Sequence, residues 1–130
     1  MIFLDSSLLI AAADEDDQFH KRAKELIPEL KEEKFLSELI ISESVTGVGA
    51  RLGSKQAMKV FETLLYDPSV KVIYTNKRLF ERAIQIYIKY DGRLSLADSV
   101  SVRIMYDNKI KKIASFDTDF DGLENITRIH

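Results

Sequence analysis

Cysteine is missing from the 130-residue sequence, so disulfides and thiolate-held metals are excluded. Histidine occurs only as His20 and His130, which leaves a zinc centre or a histidine-based triad poorly supplied. Any ionic chemistry falls to carboxylates. No apolar run reaches the length of a membrane span. The opening Met1-Ile2-Phe3-Leu4 meets Asp5 at once and lacks the basic start of a secretory signal. A cytoplasmic protein without a membrane partner is the expectation. An excess of positive charge is also lacking. The formal net charge is −2, so no global field draws in nucleic acid. A nucleic-acid partner would need a local basic patch or bridging metal ions.

What is present is a globular composition, 45% hydrophobic and 31% charged, in a chain long enough for one domain over residues 1–130. Ile2-Phe3-Leu4 suits a buried strand feeding an Ala-rich helix over 8–13. After an acidic break at 14–17, Phe19, Ala23, Leu26, Ile27 and Leu30 recur at helical spacing, and Pro28 predicts a kink or a division there. Phe35-Leu36 reads as a short strand. Residues 37–52 are apolar in several directions, the pattern of a buried helix. On it Thr46, Gly47 and Ala50 make a small-sided face open to close approach. A further helix over 57–65 is stopped by Asp67-Pro68. A strand over 70–74, a helix over 79–90 and a turn at Asp91-Gly92-Arg93 lead to a helix containing Asp98. A strand over 111–116 and a last one over 126–129 complete the chain. This alternation predicts an α/β fold, a short, mostly parallel central sheet flanked by helices on both faces. Sites in such sheets form beyond the carboxyl ends of the strands.

Asp98 is the least comfortable acid. Ser95 reads as an N-cap. At 3.6 residues per turn Asp98 falls among Leu94, Ser101, Val102 and Met105, while Leu96, Ser99, Arg103 and Asp107 lie elsewhere. A carboxylate on that mostly apolar side is costly unless compensated. Two readings are open: a Ser95-x-x-Asp98 capping box, or a polar pocket in which Asp98 shares a cation with other acids. Asp5 and Asp117 each follow a strand, and each is a cap or a site residue. Glu43 lies mid-helix, where its ordinary roles are a buried ion pair or a solvated face. These four acids would meet at one edge of the sheet. Their oxygens favour Mg²⁺ or Mn²⁺, and converging carboxylates repel unless protons or cations neutralise them.

The segment Asp117-Thr118-Asp119-Phe120-Asp121-Gly122 imitates the start of an EF-hand calcium loop. The match then fails, because Arg128 takes the twelfth place, where a bidentate Glu is needed, and a strand precedes the loop. Arg51, Lys55, Lys59, Arg93 and Arg103 are available to RNA phosphates. Surface solubility is the commoner role for such residues, and they stay outside the candidate site.

Taken in order, Leu4-Asp5-Ser6-Ser7-Leu8-Leu9-Ile10, Ile41-Ser42-Glu43-Ser44-Val45, Leu94-Ser95-Leu96-Ala97-Asp98 and Ala114-Ser115-Phe116-Asp117-Thr118-Asp119-Phe120-Asp121 resemble the PIN-domain family. The pattern looks most like the VapC-type toxins of prokaryotic toxin–antitoxin pairs, and it spans essentially the whole chain. The resemblance implies a Mg²⁺- or Mn²⁺-dependent ribonuclease that hydrolyses RNA phosphodiester bonds with metal-activated water. It implies Asp5, Glu43 and Asp98 as core metal ligands and Asp117 as the fourth acid. Asp119 is a further candidate ligand acting through water. Ser7 matches the small hydroxyl residue that orients an acid or a metal-bound water. Asp121 reads as turn-forming. The resemblance also implies a homodimer and a cognate antitoxin that blocks the acidic groove, often with an Arg. Apolar residues around 57–65 and 79–90 suit such contacts, although core packing is their commoner role. The span 42–53, with Gly47 and Gly49, departs most from the family pattern. The competing expectation is a catalytically silent PIN-like module that binds protein or RNA. A third is another Mg²⁺-dependent α/β phosphohydrolase.

Overall fold

Segments of three or four residues become the strands of one sheet, with the apolar run Ile2–Leu4 buried throughout and the outer strands partly exposed. In a computed structural model describing residues 1–130, the strands are β1 (Ile2–Leu4), β2 (Lys34–Ser37), β3 (Val70–Ile73), β4 (Lys112–Ala114) and β5 (Thr127–Ile129). The sheet order is β3-β2-β1-β4-β5, and every pairing is parallel. Six helices flank it: α1 (Ser6–Ala13), α2 (His20–Glu29), α3 (Glu38–Leu52), α4 (Ser54–Tyr66), α5 (Lys77–Lys89) and α6 (Leu96–Asp107). Contacts join α1 to α2 and α3, and α3 to α4, whereas α5 packs on α6. Right-handed crossovers explain this grouping, since the chain winds outward from β1 through β2 to β3, then returns to the other side of β1 as β4. No helix is long and apolar enough to cross a membrane.

The core is one cluster centred on the strands, with Ile2, Phe3, Leu36 and Ile113 fully buried and Leu8, Leu26, Ile40, Val102 and Met105 closing over them. Three expectations need correction. Pro28 does not divide α2, which runs unbroken over His20–Glu29 and ends one residue after the proline. The third helix is not buried all round: only Ile40, Ile41, Ser44 and Val48 are buried, and Leu52 is 39% exposed. The α6 core face is wider than a stripe, since Ser99 is buried as well and returns its hydroxyl to the Ser95 carbonyl at 2.9 Å. The small-sided face of α3 does permit close approach: a Cβ on Gly47 would lie 2.5 Å from the tip of Ile10, so α1 nests against that position.

The architecture matters most at its switch point. The strand order reverses between β1 and β4, and a crevice opens there beyond their carboxyl ends. Asp5 follows β1, and Ser115 to Asp117 follow β4.

Candidate active site

Asp5 is placed by β1 and used by α1. It is 3% exposed and caps α1 through the Ser7 backbone N–H. Burying a carboxylate is costly without donors, and two short bonds supply them. The hydroxyls of Ser7 and Ser115 each donate to Asp5 Oδ2 at 2.6 Å. All three donors address Oδ2, so Oδ1 has no partner within the chain. One side chain therefore both caps α1 and lines the crevice.

The two serines also carry the far side of the crevice. Ser7 Oγ accepts the Phe116 N–H at 3.0 Å, and Ser115 Oγ accepts the Asp117 N–H at 3.0 Å. Each hydroxyl thus donates once to Asp5 and accepts once from the segment after β4. Asp117 caps a single 3-10 turn, Thr118–Phe120, by accepting the Asp119 N–H at 2.9 Å. Asp98 stands in the first turn of α6. Ser95 Oγ accepts its N–H at 3.0 Å, but the return bond that would complete a capping box, Ser95 N–H to the Asp98 carboxylate, is not made. Glu43 stands at the rim on α3 with no basic partner, and accepts the Ser6 hydroxyl at 2.9 Å.

Asp5, Ser6, Ser7, Glu43, Ser95, Asp98 and Asp117 line one open cavity of about 490 Å³, together with Ile10, Asp17, Gln18, Phe19, Arg51 and Phe116, while Ser115 is buried behind it. Arg51 is its cation, and that charge is already engaged: one nitrogen holds Asp14 at 3.0 Å and Asp17 at 2.8 Å. The electrostatic signature falls on Asp98. Loss of hydration and then the charges of Asp5, Glu43 and Asp117 push its pKa up to about 7, against slight opposition from Ser95. Glu43 is also raised, first by desolvation and then by Asp5, with the Ser6 bond opposing. The acids share the cavity without closing into a ready-made set of three ligands.

Of the residues singled out in the sequence, Asp5, Ser7, Glu43, Asp98 and Asp117 come together here. Asp119 does not. It is exposed, outside the cavity lining, and meets the site only through its backbone bond to Asp117. Asp121 is held by Arg128 through two bonds of 2.7 and 3.0 Å, so the residue that defeats the calcium-loop pattern also neutralises one of its acids. His20 is structural, donating from Nδ1 to the Ala11 carbonyl at 2.7 Å. Sequence reasoning missed Ser6, Ser115 and Arg51 as partners of the acids. Ser6 and Ser115 sat inside the motifs already quoted, and their signal was adjacency to an acid.

Fold and site together define an α/β domain with an acidic cavity at the switch point of a parallel sheet. The PIN domain family model matches residues 2–125, and the chain belongs to that family. No curated protein matches the sequence. Among solved structures, it is similar to Mycobacterium tuberculosis VapC20, described as a sarcin–ricin loop cleaving toxin, with 26% identity and a TM-score of 0.87 over 97% of this chain and 98% of that one. A toxin–antitoxin complex from Klebsiella pneumoniae shares the fold at 16% identity, TM-score 0.71, covering 98% and 96%. FitAcB from Neisseria gonorrhoeae does so at 16% identity, TM-score 0.71, covering 100% and 97%.

Proposed function

We propose that this protein is a VapC-like toxin: an endoribonuclease that hydrolyses RNA phosphodiester bonds with Mg²⁺ or Mn²⁺. The observation that carries the reading is the convergence of Asp5, Glu43, Asp98 and Asp117 on one cavity at the switch point of the sheet, where burial and the other three carboxylates also raise Asp98 to about 7. Four acids with no uncommitted cation among them make a donor set suited to a hard divalent ion. Asp5, Glu43, Asp98 and Asp117 are the residues that would hold it, and Asp119 is left as a candidate acting through water. A bound ion supplies a more acidic water and stabilises charge that builds on the phosphate.

The chain's own residues supply order. Ser7 and Ser115 pin Oδ2 of Asp5 and so present Oδ1 to the cavity. The same hydroxyls fix the backbone of Phe116 and Asp117, which couples the two sides of the crevice. Burial and then the charges of Asp5, Glu43 and Asp117 raise the Asp98 carboxyl to about 7, and a cation held among these acids would favour its ionised form. Likeness to VapC20 supports RNA as the substrate, and likeness to the Klebsiella complex supports a cognate antitoxin as protein partner. A homodimer in the cytoplasm completes the reading. The test is cleavage of RNA with Mg²⁺ or Mn²⁺ against the same reaction in chelator. Equal cleavage in both, or none in either by a folded protein, overturns it.

A further inference from the structure

Phe19 is an apolar side chain, 39% exposed, on the wall of an otherwise mostly polar cavity. It lies outside the hydrophobic core, and its ring rests on that of Phe116, with centroids 4.6 Å apart and planes within 7° of parallel. One face is covered by Phe116, so the exposed area belongs to the other face and the edge. Leaving a large ring in water forgoes burial free energy, and a ligand that covers it recovers that energy.

Both rings are braced from behind. The Phe116 N–H donates to Ser7 Oγ at 3.0 Å, and that hydroxyl donates to Asp5. The Phe19 N–H donates to Asp17 Oδ1 at 2.8 Å, and Arg51 grips the other oxygen of Asp17 at 2.8 Å. The pair is therefore set beside Asp5 and Asp117 before any ligand arrives. A flat π-face next to carboxylates has one natural complement in RNA, the face of a nucleobase.

Building on the nuclease reading above, we propose that Phe19 is a nucleobase platform. The base of an unpaired nucleotide next to the scissile bond stacks on its open face while the phosphodiester meets the acids. Arg51 is a positioning residue that holds the 14–19 loop in place for this contact. A base inside a duplex offers no free face, so the platform selects single-stranded or unstacked RNA.

The experiment uses a mixed-sequence pool of single-stranded oligoribonucleotides with Mn²⁺, then one cleaved strand remade with an abasic site at each nucleotide flanking the mapped bond. Phe19→Leu should raise KM about tenfold or more, the contribution of one stacked base, with kcat changed less. Phe19→Tyr should restore the wild-type KM. One abasic position should raise the wild-type KM by the same factor and erase the difference between wild type and Phe19→Leu. An unchanged KM for Phe19→Leu, or no sensitive abasic position, overturns the platform and leaves the nuclease reading standing. The abasic arm decides alone if Phe19→Leu does not fold. Absence of wild-type cleavage of every strand in the pool overturns both.

Discussion

Replacing Asp98 with Asn should make the metal-free protein more stable and, at the same time, inactive. In the fold, Asp98 keeps its proton up to about pH 7 because burial and the charges of Asp5, Glu43 and Asp117 oppose its ionisation. In the unfolded chain it ionises near the ordinary value of about 3.9. Between these pH values the native state holds the extra proton. Stability therefore falls as pH rises through that window and levels off above it. A difference of about three pKa units corresponds to about 4 kcal/mol as an upper bound. Asp98 is partly open to solvent through the cavity, and screening brings the expected penalty to roughly 2 kcal/mol. Asn has the same shape without the charge, and Ser95 still caps α6. In chelator at pH 8, Asp98→Asn should gain roughly 2 kcal/mol, or about 5–10 °C in Tm for a domain of this size. The gain should fall to a small fraction of this at about pH 4, where the unfolded wild type is about half protonated and the folded one fully so, and vanish below about pH 3. The assay is thermal melting of both proteins from pH 4 to 8, with RNA cleavage measured beside it. If Asp98→Asn loses stability at every pH and cuts RNA as fast as the parent, Asp98 is a helix cap and the electrostatic reasoning fails.

The remaining expectations use the same two measurements. Asp5→Asn should abolish cleavage while the chain still melts cooperatively; wild-type cleavage by a folded Asp5→Asn would remove Asp5 from the site. Ser115→Ala deletes a donor to Asp5 and the acceptor of the Asp117 N–H, and should cost about 1–3 kcal/mol along with a loss of activity. A variant as stable and active as the parent would show that the serine bridge carries nothing. Mn²⁺ at 100 times its Kd should stabilise the wild type by about 2.7 kcal/mol through mass action, and Asp98→Asn by distinctly less. Equal shifts in the two proteins would place the ion elsewhere.

Local pattern carried much of the architecture. Alternation of short apolar runs with helical periodicities marks a parallel α/β sheet in one dimension, because both periods are properties of neighbouring residues. Asp5 and Asp117 were also readable as acids following strands and Asp98 as an acid on an apolar helix side, whereas Glu43, mid-helix, had no distinctive local context and gained meaning only from the order of the four motifs. Helix ends and exposure were less legible. Pro28 carries a strong local penalty, yet its effect depends on how many residues follow it in α2. Apolar residues of the 79–90 span were expected mainly in core packing, yet Phe80, Ile84, Tyr87 and Ile88 of α5 are exposed in the fold.

Taken by itself, the order of residues determined the class of fold, the carboxylates as the main supply of ionic groups, and the exclusion of cysteine centres. Each rests on residue type or short-range spacing. Only the tertiary structure decided which oxygens of Asp5 are taken, that Ser115 reaches back 110 positions to hold it, and that Asp119 stays outside. It also decided that Phe19 meets Phe116 beside the acids. Those outcomes depend on the reversal of strand order between β1 and β4, which brings distant segments to one crevice. A hydrogen bond or a charge repulsion acts over a few ångströms of space, and no spacing along the chain encodes that distance.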